Sequence, residues 1–213
     1  MFITFEGLDF CGKSTQVQLL EKYLIENGKQ VRIIREPGGT PISEKIRDIL
    51  LDKKNSDMSI ETELILFSGS RAQLVHDIII PELEKNVFVI SDRFHDSSIA
   101  YQAFGRNIDL DFVTNLQKFV IGKAVPDVTF FIDITIDEMV NRMSKVKKVE
   151  LDRIESTKTD FYERVRAGYL YLTEKESRFQ KINGTLSIEE IHKIITRQVE
   201  SLVKLEGRNE NKK

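Results

Sequence analysis

Gly7-Leu8-Asp9-Phe10-Cys11-Gly12-Lys13-Ser14 fits G-x-x-x-x-G-K-[ST] without a mismatch. The chemistry of that spacing is phosphate binding. The loop must turn its backbone N–H groups toward one point, and Gly7 and Gly12 permit the turn and the close approach of a phosphate. A helix starting after the loop would add the partial positive charge of its N-terminus. Lys13 is placed to reach the β- and γ-phosphates of a nucleotide, and Ser14 to offer its hydroxyl to Mg²⁺. Leu8, Asp9, Phe10, Cys11 and Thr15 are expected around the same phosphates; the Cys11 thiol is given no chemistry of its own. Such a loop needs a carboxylate for the metal on a neighbouring strand. Asp92 follows the apolar run Val87–Ile90, and Asp133 lies inside a later run. Asp92 is preferred because Arg93 beside it pairs a metal-side carboxylate with a phosphate-binding cation.

Arg35 ends the second apolar run and Arg93 follows the third, so both fall at the edge expected for the loop. Two guanidinium groups there can grip a second phosphate bidentately. A plain ATPase has no need of this pair; a kinase with a phosphorylated acceptor does. The bland readings are that Arg35 pairs with Glu36 or a surface carboxylate, and that Asp92-Arg93 is an ordinary ion pair. Phe67 and Arg71 are spaced i, i+4, a ring and a guanidinium on one helix face that could hold a planar base, although Phe67 alone reads as core. His76 and His95 lack ligand spacing. Lys145, Lys147, Lys148 and Arg153 form a cationic stretch at about 142–153 that opens with Arg142. It reads as a lid closing over transferring phosphate and excluding water rather than as a solvated face, and Arg142 is expected on the ATP side.

Positioning these residues takes alternating elements. Strands are expected at 2–6, 31–34, 87–90, 128–134 and 179–183. Helices are expected from Lys13 to Glu26, Ser43 to Leu51, Ile60 to Leu83, Asp109 to Ile121, from Ile136, over 160–176 and from Ser187. Asn27-Gly28 stops the first helix, Pro81 interrupts the third, and Ser187 with Glu190 has capping-box spacing. This order implies an α/β fold, a parallel sheet with helices on both faces. The length favours one domain, 1–205, followed by a charged, frayed tail at 206–213.

The 32 Lys and Arg against 34 Asp and Glu leave a net charge of −2, which gives no support to a nucleic-acid partner. There is no apolar run of membrane-spanning length and no secretory signal pattern at the start. A single cysteine fits a reducing compartment.

Taken together, the motifs resemble the thymidylate kinases of the bacterial type. The matching stretches are Phe5-Glu6-Gly7-Leu8-Asp9 with Gly12-Lys13-Ser14-Thr15, Arg35-Glu36-Pro37-Gly38-Gly39-Thr40, and Leu66-Phe67 with Arg71-Ala72-Gln73-Leu74. Asp92-Arg93 with Ser97-Ser98 and Ala100-Tyr101-Gln102, Pro126-Asp127 with Asp133, and Leu151-Asp152-Arg153-Ile154-Glu155 complete the ordered set.

The resemblance implies a P-loop nucleoside monophosphate kinase-like α/β fold with a five-stranded parallel sheet and a small basic lid. It implies Mg²⁺-dependent transfer of the γ-phosphoryl of ATP to dTMP, in dTTP biosynthesis, by a cytoplasmic homodimer. It makes Lys13, Arg93 and Arg153 the catalytic cations. It makes Asp9 the carboxylate near the deoxyribose, Arg35 and Arg93 the dTMP phosphate clamp, and Phe67 the thymine stacking ring. Arg71 becomes a donor to a thymine carbonyl, Ser98 a second base contact, and Tyr101 the wall under the sugar. Phe10-Cys11 stands where many bacterial members carry Gly-Ala. Two rivals remain at this point: a kinase for dUMP, dCMP or a nucleoside, and a nucleotide-gated switch. The absence of a guanine-reading N-K-x-D and the presence of Arg35 with Arg93 count against the switch.

Overall fold

The computed structural model describes residues 1–146, 153–154 and 159–210, with the side chains of 205–210 left aside. Five strands, β1 (Phe2–Glu6), β2 (Val31–Arg35), β3 (Phe88–Asp92), β4 (Val128–Asp133) and β5 (Phe179–Asn183), form one sheet in the order β2-β3-β1-β4-β5. Every neighbouring pair is parallel. The chain winds from β1 to β2 and β3 on one side and to β4 and β5 on the other. The carboxyl ends beside β1 therefore face a crevice, the usual ligand position in such sheets. Arg35 pairs in register with Asp92, and Phe5 pairs with Asp92 from the other side, so the sequence-predicted edge residues do share one rim.

β1, β3 and β4 are buried on both faces, as parallel strands under two helical layers must be. Ile3 and Phe5 join one core cluster with Phe130, with Val17 and Leu20 of α1 (Lys13–Glu26), and with Ile191 and Ile195 of α9 (Ile188–Glu210). Phe2, Ile34 and Val89 point the other way, toward Leu74 of α3 (Ile60–Leu74) and Ile121 of α6 (Leu110–Ile121). Burying both faces of β1 fixes the start of the loop that follows it.

Helix ends follow local chemistry. α2 (Pro41–Leu51) begins two residues before the expected Ser43: Pro41 suits a first helical turn, and the Thr40 side chain accepts from Ser43 N at 3.1 Å. Ser187 and Glu190 cap α9 reciprocally: Ser187 N donates to Glu190 Oε2 at 2.9 Å and Glu190 N to Ser187 Oγ at 3.2 Å. α9 continues to Glu210, past the point where fraying was expected. Pro81 does not break the third helix outright. A π-helical turn at Val75–Ile79 widens the ladder just before it, and the chain stays helical through Pro81 into α4 (Ile80–Glu84). The segment after Arg93, which sequence patterning left unassigned, is α5 (His95–Ser98) running into a π-helical Ile99–Gly105. α7 (Ile136–Lys145) and α8 (Thr159–Lys175) flank the basic stretch. Lys147 and Lys148 of the expected lid, and the end of the expected tail, lie outside the described residues.

Candidate active site

The loop between β1 and α1 has the backbone that its glycines allow. Gly7 has φ 141°, and a Cβ there would sit 2.6 Å from Ile132 O and 2.9 Å from Cys11 Sγ. Gly12 has φ 100° and stands at the N-cap of α1, where no side chain caps the helix N–H groups. Gly12, Lys13, Ser14 and Thr15 at this helix start line the loop cavity described below, where uncapped N–H groups suit an anion. Lys13 is buried, its Nζ donating to Gly7 O at 3.0 Å and Leu8 O at 2.8 Å, so the ammonium is folded back over the loop. Ser14 Oγ donates to Asp92 Oδ2 at 2.6 Å, which joins the two expected metal-side residues. The rival Asp133 is spoken for: Arg166 grips it with contacts of 2.7 and 3.0 Å.

Two cavities open from this rim. The loop cavity, about 540 Å³, is lined by Asp9, Phe10, Gly12, Lys13, Ser14, Thr15, Arg35, Asp92, Arg93 and Arg142, among others. The inner cavity, about 190 Å³, is lined by Asp9, Phe67, Arg71, Arg93, Ser98 and Tyr101, with Leu51 and Ile154. Asp9, Glu36, Arg47 and Arg93 line both. Most of the sequence-predicted site residues surround these two adjoining spaces, but Gly7, Leu8, Cys11 and Arg153 line neither. Leu8 and Cys11, expected around the phosphates, are instead turned into the main core cluster, where an apolar side chain and a thiol are better buried.

Arg93 stands at the junction. It has φ 68°, an unusual left-handed conformation for a large side chain that the surrounding bonds must sustain. Its Nη2 donates to Asp9 Oδ1 at 2.5 Å and to the Tyr101 hydroxyl at 3.2 Å. Its Nη1 donates to Ser97 Oγ at 3.3 Å and to the Tyr169 hydroxyl at 3.2 Å. Burial pushes the Asp9 carboxyl up, but the nearby Arg93 and Lys13 charges outweigh it and hold Asp9 below the usual carboxylate range. Arg93 thus pairs with Asp9, not with its sequence neighbour Asp92. Arg35 pairs with exposed Glu44 at 3.0 Å and donates to Pro37 O at 3.0 Å, as the bland reading allowed, while still lining the loop cavity.

Behind Arg93 lies Glu6, fully buried. Its Oε1 accepts from Phe94 N at 2.8 Å; its Oε2 accepts from Ser97 Oγ at 2.6 Å and the Tyr169 hydroxyl at 2.8 Å. Two of the residues that hold Arg93, Ser97 and Tyr169, are therefore held by Glu6. Burial, then the charge of Asp96, raises the Glu6 carboxyl to about 7 against the opposing effect of Arg93.

Phe67 and Arg71 share a face of α3 and line the inner cavity together, as their spacing implied. Arg71 is buried and its donors are engaged by protein: Nε to Glu36 Oε2 at 2.7 Å, Nη1 to Ser98 Oγ at 2.9 Å and Gln117 Oε1 at 2.6 Å, Nη2 to Phe94 O at 3.1 Å. Arg71 and Ser98 are thus bonded to each other at the cavity wall. Arg142 clasps the loop from outside, with Nη1 3.4 and 3.3 Å from Phe10 O and Cys11 O and Nη2 donating to Gly184 O at 2.7 Å.

Arg153, expected as a lid cation, sits beside α2 and α3. It does not line the loop cavity; its Nη2 donates to Glu63 Oε2 at 2.7 Å and its Nε to Leu50 O at 2.8 Å. Sequence reasoning missed Arg47, a further guanidinium on the rim of both cavities, and Glu6 and Glu63. The available signal for Arg47 was its place three residues after Glu44 on α2, the same face that meets Arg35.

A glycine-loop cradle after β1, a Ser14–Asp92 contact across the rim and an adjoining cation-lined cavity define a P-loop phosphotransferase of the nucleoside monophosphate kinase class. Residues 5–195 match the family model described as thymidylate kinase. The chain is 48% identical over 203 residues to a thymidylate kinase of Thermosipho melanesiensis, covering 95% of this chain and 99% of the relative. It is 46% identical over 199 residues to one of Kosmotoga olearia (93% and 94% covered) and 44% identical over 210 residues to one of Chlorobaculum tepidum (95% and 98% covered). The chain belongs to the thymidylate kinase family.

Proposed function

We propose that this protein transfers the γ-phosphoryl group of ATP to dTMP, giving dTDP and ADP. The observation that carries this reading is the placement of Arg93 on the shared wall of the two cavities, within reach of phosphate in either. ATP phosphates lie in the loop cavity against the α1 N-terminus, with Lys13 leaving its carbonyl partners to meet them and Arg142 bracing the loop. The dTMP base enters the inner cavity beside Phe67, with Arg71 and Ser98 at its edge, Tyr101 under the sugar and Asp9 near the 3′-hydroxyl. Because Arg71 is already engaged by protein, its contact with a base carbonyl is made by sharing or exchanging its bond to Ser98. Arg35 and Arg93 hold the dTMP phosphate.

Ser14 Oγ and the Asp92 carboxylate supply oxygen donors of the kind Mg²⁺ takes alongside nucleotide phosphates. Bound there, Mg²⁺ offsets charge on the β- and γ-phosphates. The attacking atom is an anionic phosphate oxygen, so no general base is required. The protein contributes positioning and charge, through Lys13 and Arg93.

Residues 1–205 act as one kinase unit. A homodimer is supported by exposed apolar side chains on three helices: Ile42 and Ile49 on α2, Ile65 on α3, and Phe112 and Phe119 on α6. Phe119 is 86% exposed, which a face buried in a dimer explains. No helix among the described residues is long and apolar enough to cross a membrane. The unbonded Cys11 accords with a cytoplasmic location. A coupled assay of ADP formation across dTMP, dUMP, dCMP and nucleosides tests the activity. The expected result is highest kcat/KM for dTMP; equal or better use of another acceptor overturns it.

A further inference from the structure

Glu63 on α3 is almost fully buried yet is a hub of charge. Gln102 Nε2 donates to Oε1 at 3.0 Å; Arg106 donates to Oε1 at 3.2 Å and to Oε2 at 3.1 Å; Arg153 Nη2 donates to Oε2 at 2.7 Å. Arg153 is itself only 9% exposed at this bond. Its Nε donates to Leu50 O and its backbone N to Leu51 O, at 2.8 and 3.3 Å, so it also satisfies carbonyls left open at the end of α2. A cation there also meets the negative end of the α2 dipole. Three bonds on two helices fix this residue. The next residue, Ile154, is 7% exposed and lines the inner cavity along with Leu51 and Phe67.

We propose that Glu63 and Arg153 are positioning residues: their ion pair latches the segment at 153–154 onto α2 and α3 and thereby seats Ile154 as a wall of the acceptor cavity. Arg153 then serves acceptor binding rather than the transferred phosphoryl group. This rests on the inner cavity being the acceptor site. Arg106 remains on Glu63 when Arg153 is removed, so Arg153→Ala leaves no buried carboxylate without a cation. The segment is released while the helices that it touches stay neutralised.

The test measures kcat, the KM for dTMP and the KM for ATP in the wild type and in Arg153→Ala, Arg153→Lys and Ile154→Ala. Losing a wall contact raises the acceptor KM about tenfold. That increase is expected in both Arg153→Ala and Ile154→Ala, with kcat and the KM for ATP within about twofold, the signature of lost uniform binding. Arg153→Lys is expected between them and the wild type, since one ammonium cannot reproduce the guanidinium's contacts to Glu63 and Leu50. A fall in kcat of about 100-fold in Arg153→Ala, with the dTMP KM unchanged and Ile154→Ala near the wild type, overturns the latch and returns Arg153 to the phosphates. If the wild type favours another nucleoside monophosphate, the same constants are read on that acceptor, and the latch stands or falls separately from the choice of dTMP.

Discussion

The Asp9 carboxylate and the Arg93 guanidinium meet at 2.5 Å on the wall common to the loop cavity and the inner cavity. One comes from the loop after β1 and the other from the turn after β3, strands that are neighbours in the sheet. Holding Arg93 by Asp9, Ser97, Tyr101 and Tyr169 before substrate arrives removes the cost of ordering it later. Arg93→Ala is therefore expected to lower kcat/KM for dTMP by at least about 100-fold, roughly 3 kcal/mol of transition-state stabilisation. Arg93→Lys is expected to recover little, because a single ammonium cannot replace the fork. Steady-state kinetics of ADP formation read both.

Gly7 tests the loop itself. A methyl group there would meet Ile132 O at 2.6 Å on a backbone with φ 141°. Gly7→Ala is expected to destabilise the fold by about 1–3 kcal/mol and to weaken ATP binding. Urea unfolding and calorimetric titration with ATP measure the two effects. Gly28→Ala has open space around it and φ 73°, so it carries strain alone and is expected to leave ATP binding intact.

The contact between Ser14 and Asp92 predicts a metal phenotype. Asp92→Asn is expected to raise the Mg²⁺ concentration for half-maximal rate by roughly tenfold or more. Asp133→Asn, which loosens a carboxylate bound to Arg166, is expected to leave that requirement unchanged. Rates over a Mg²⁺ titration at fixed ATP separate them.

Glu6 and His95 predict opposite pH slopes of stability. The Glu6 carboxyl titrates at about 7 in the fold, raised by burial and by Asp96. Between its ordinary value of 4.5 and about 7 the native state holds the extra proton, so this group's contribution falls as pH rises. Burial pushes His95 down to about 4 from 6.5. Between those values the unfolded state holds the extra proton, so its contribution rises with pH. The two oppose each other over about pH 4.5–6.5. In Glu6→Gln the amide can donate to Ser97 and Tyr169 while its carbonyl accepts from Phe94 N, so the fold is kept. That variant is expected to gain stability steeply from pH 4.5 to 6.5 where the wild type is nearly flat. Thermal melts across this range measure it; parallel pH profiles for the two proteins would contradict it.

The loop, the strands and the edge arginines were legible in the sequence because local rules determine them. Apolar runs such as Val87–Ile90 must be buried, and Gly7 with Gly12-Lys13-Ser14 has one structural use. The helix at 95–105 was not legible. Its buried polar residues His95, Asp96, Ser98 and Gln102 are satisfied by partners far along the chain, such as Arg178 on Asp96 at 2.7 Å and Glu63 on Gln102 at 3.0 Å. Its π-helical turn also departs from the 3.6-residue period. Arg153 was visible as a cation, but its partner Glu63 lies 90 residues earlier, and no spacing rule joins them. Glu6 was seen as part of a motif and not as the support behind Arg93, because that role depends on α5 and α8.

The proposed arrangement, donor and acceptor in adjoining cavities that share Arg93, is read out by competition from one molecule carrying both nucleosides, thymidine joined to adenosine through a polyphosphate chain. Competitive inhibition is expected against ATP and against dTMP alike, with one molecule bound per chain and both effects lost in Arg93→Ala. Competition against only one substrate, or unchanged inhibition of Arg93→Ala, would contradict it.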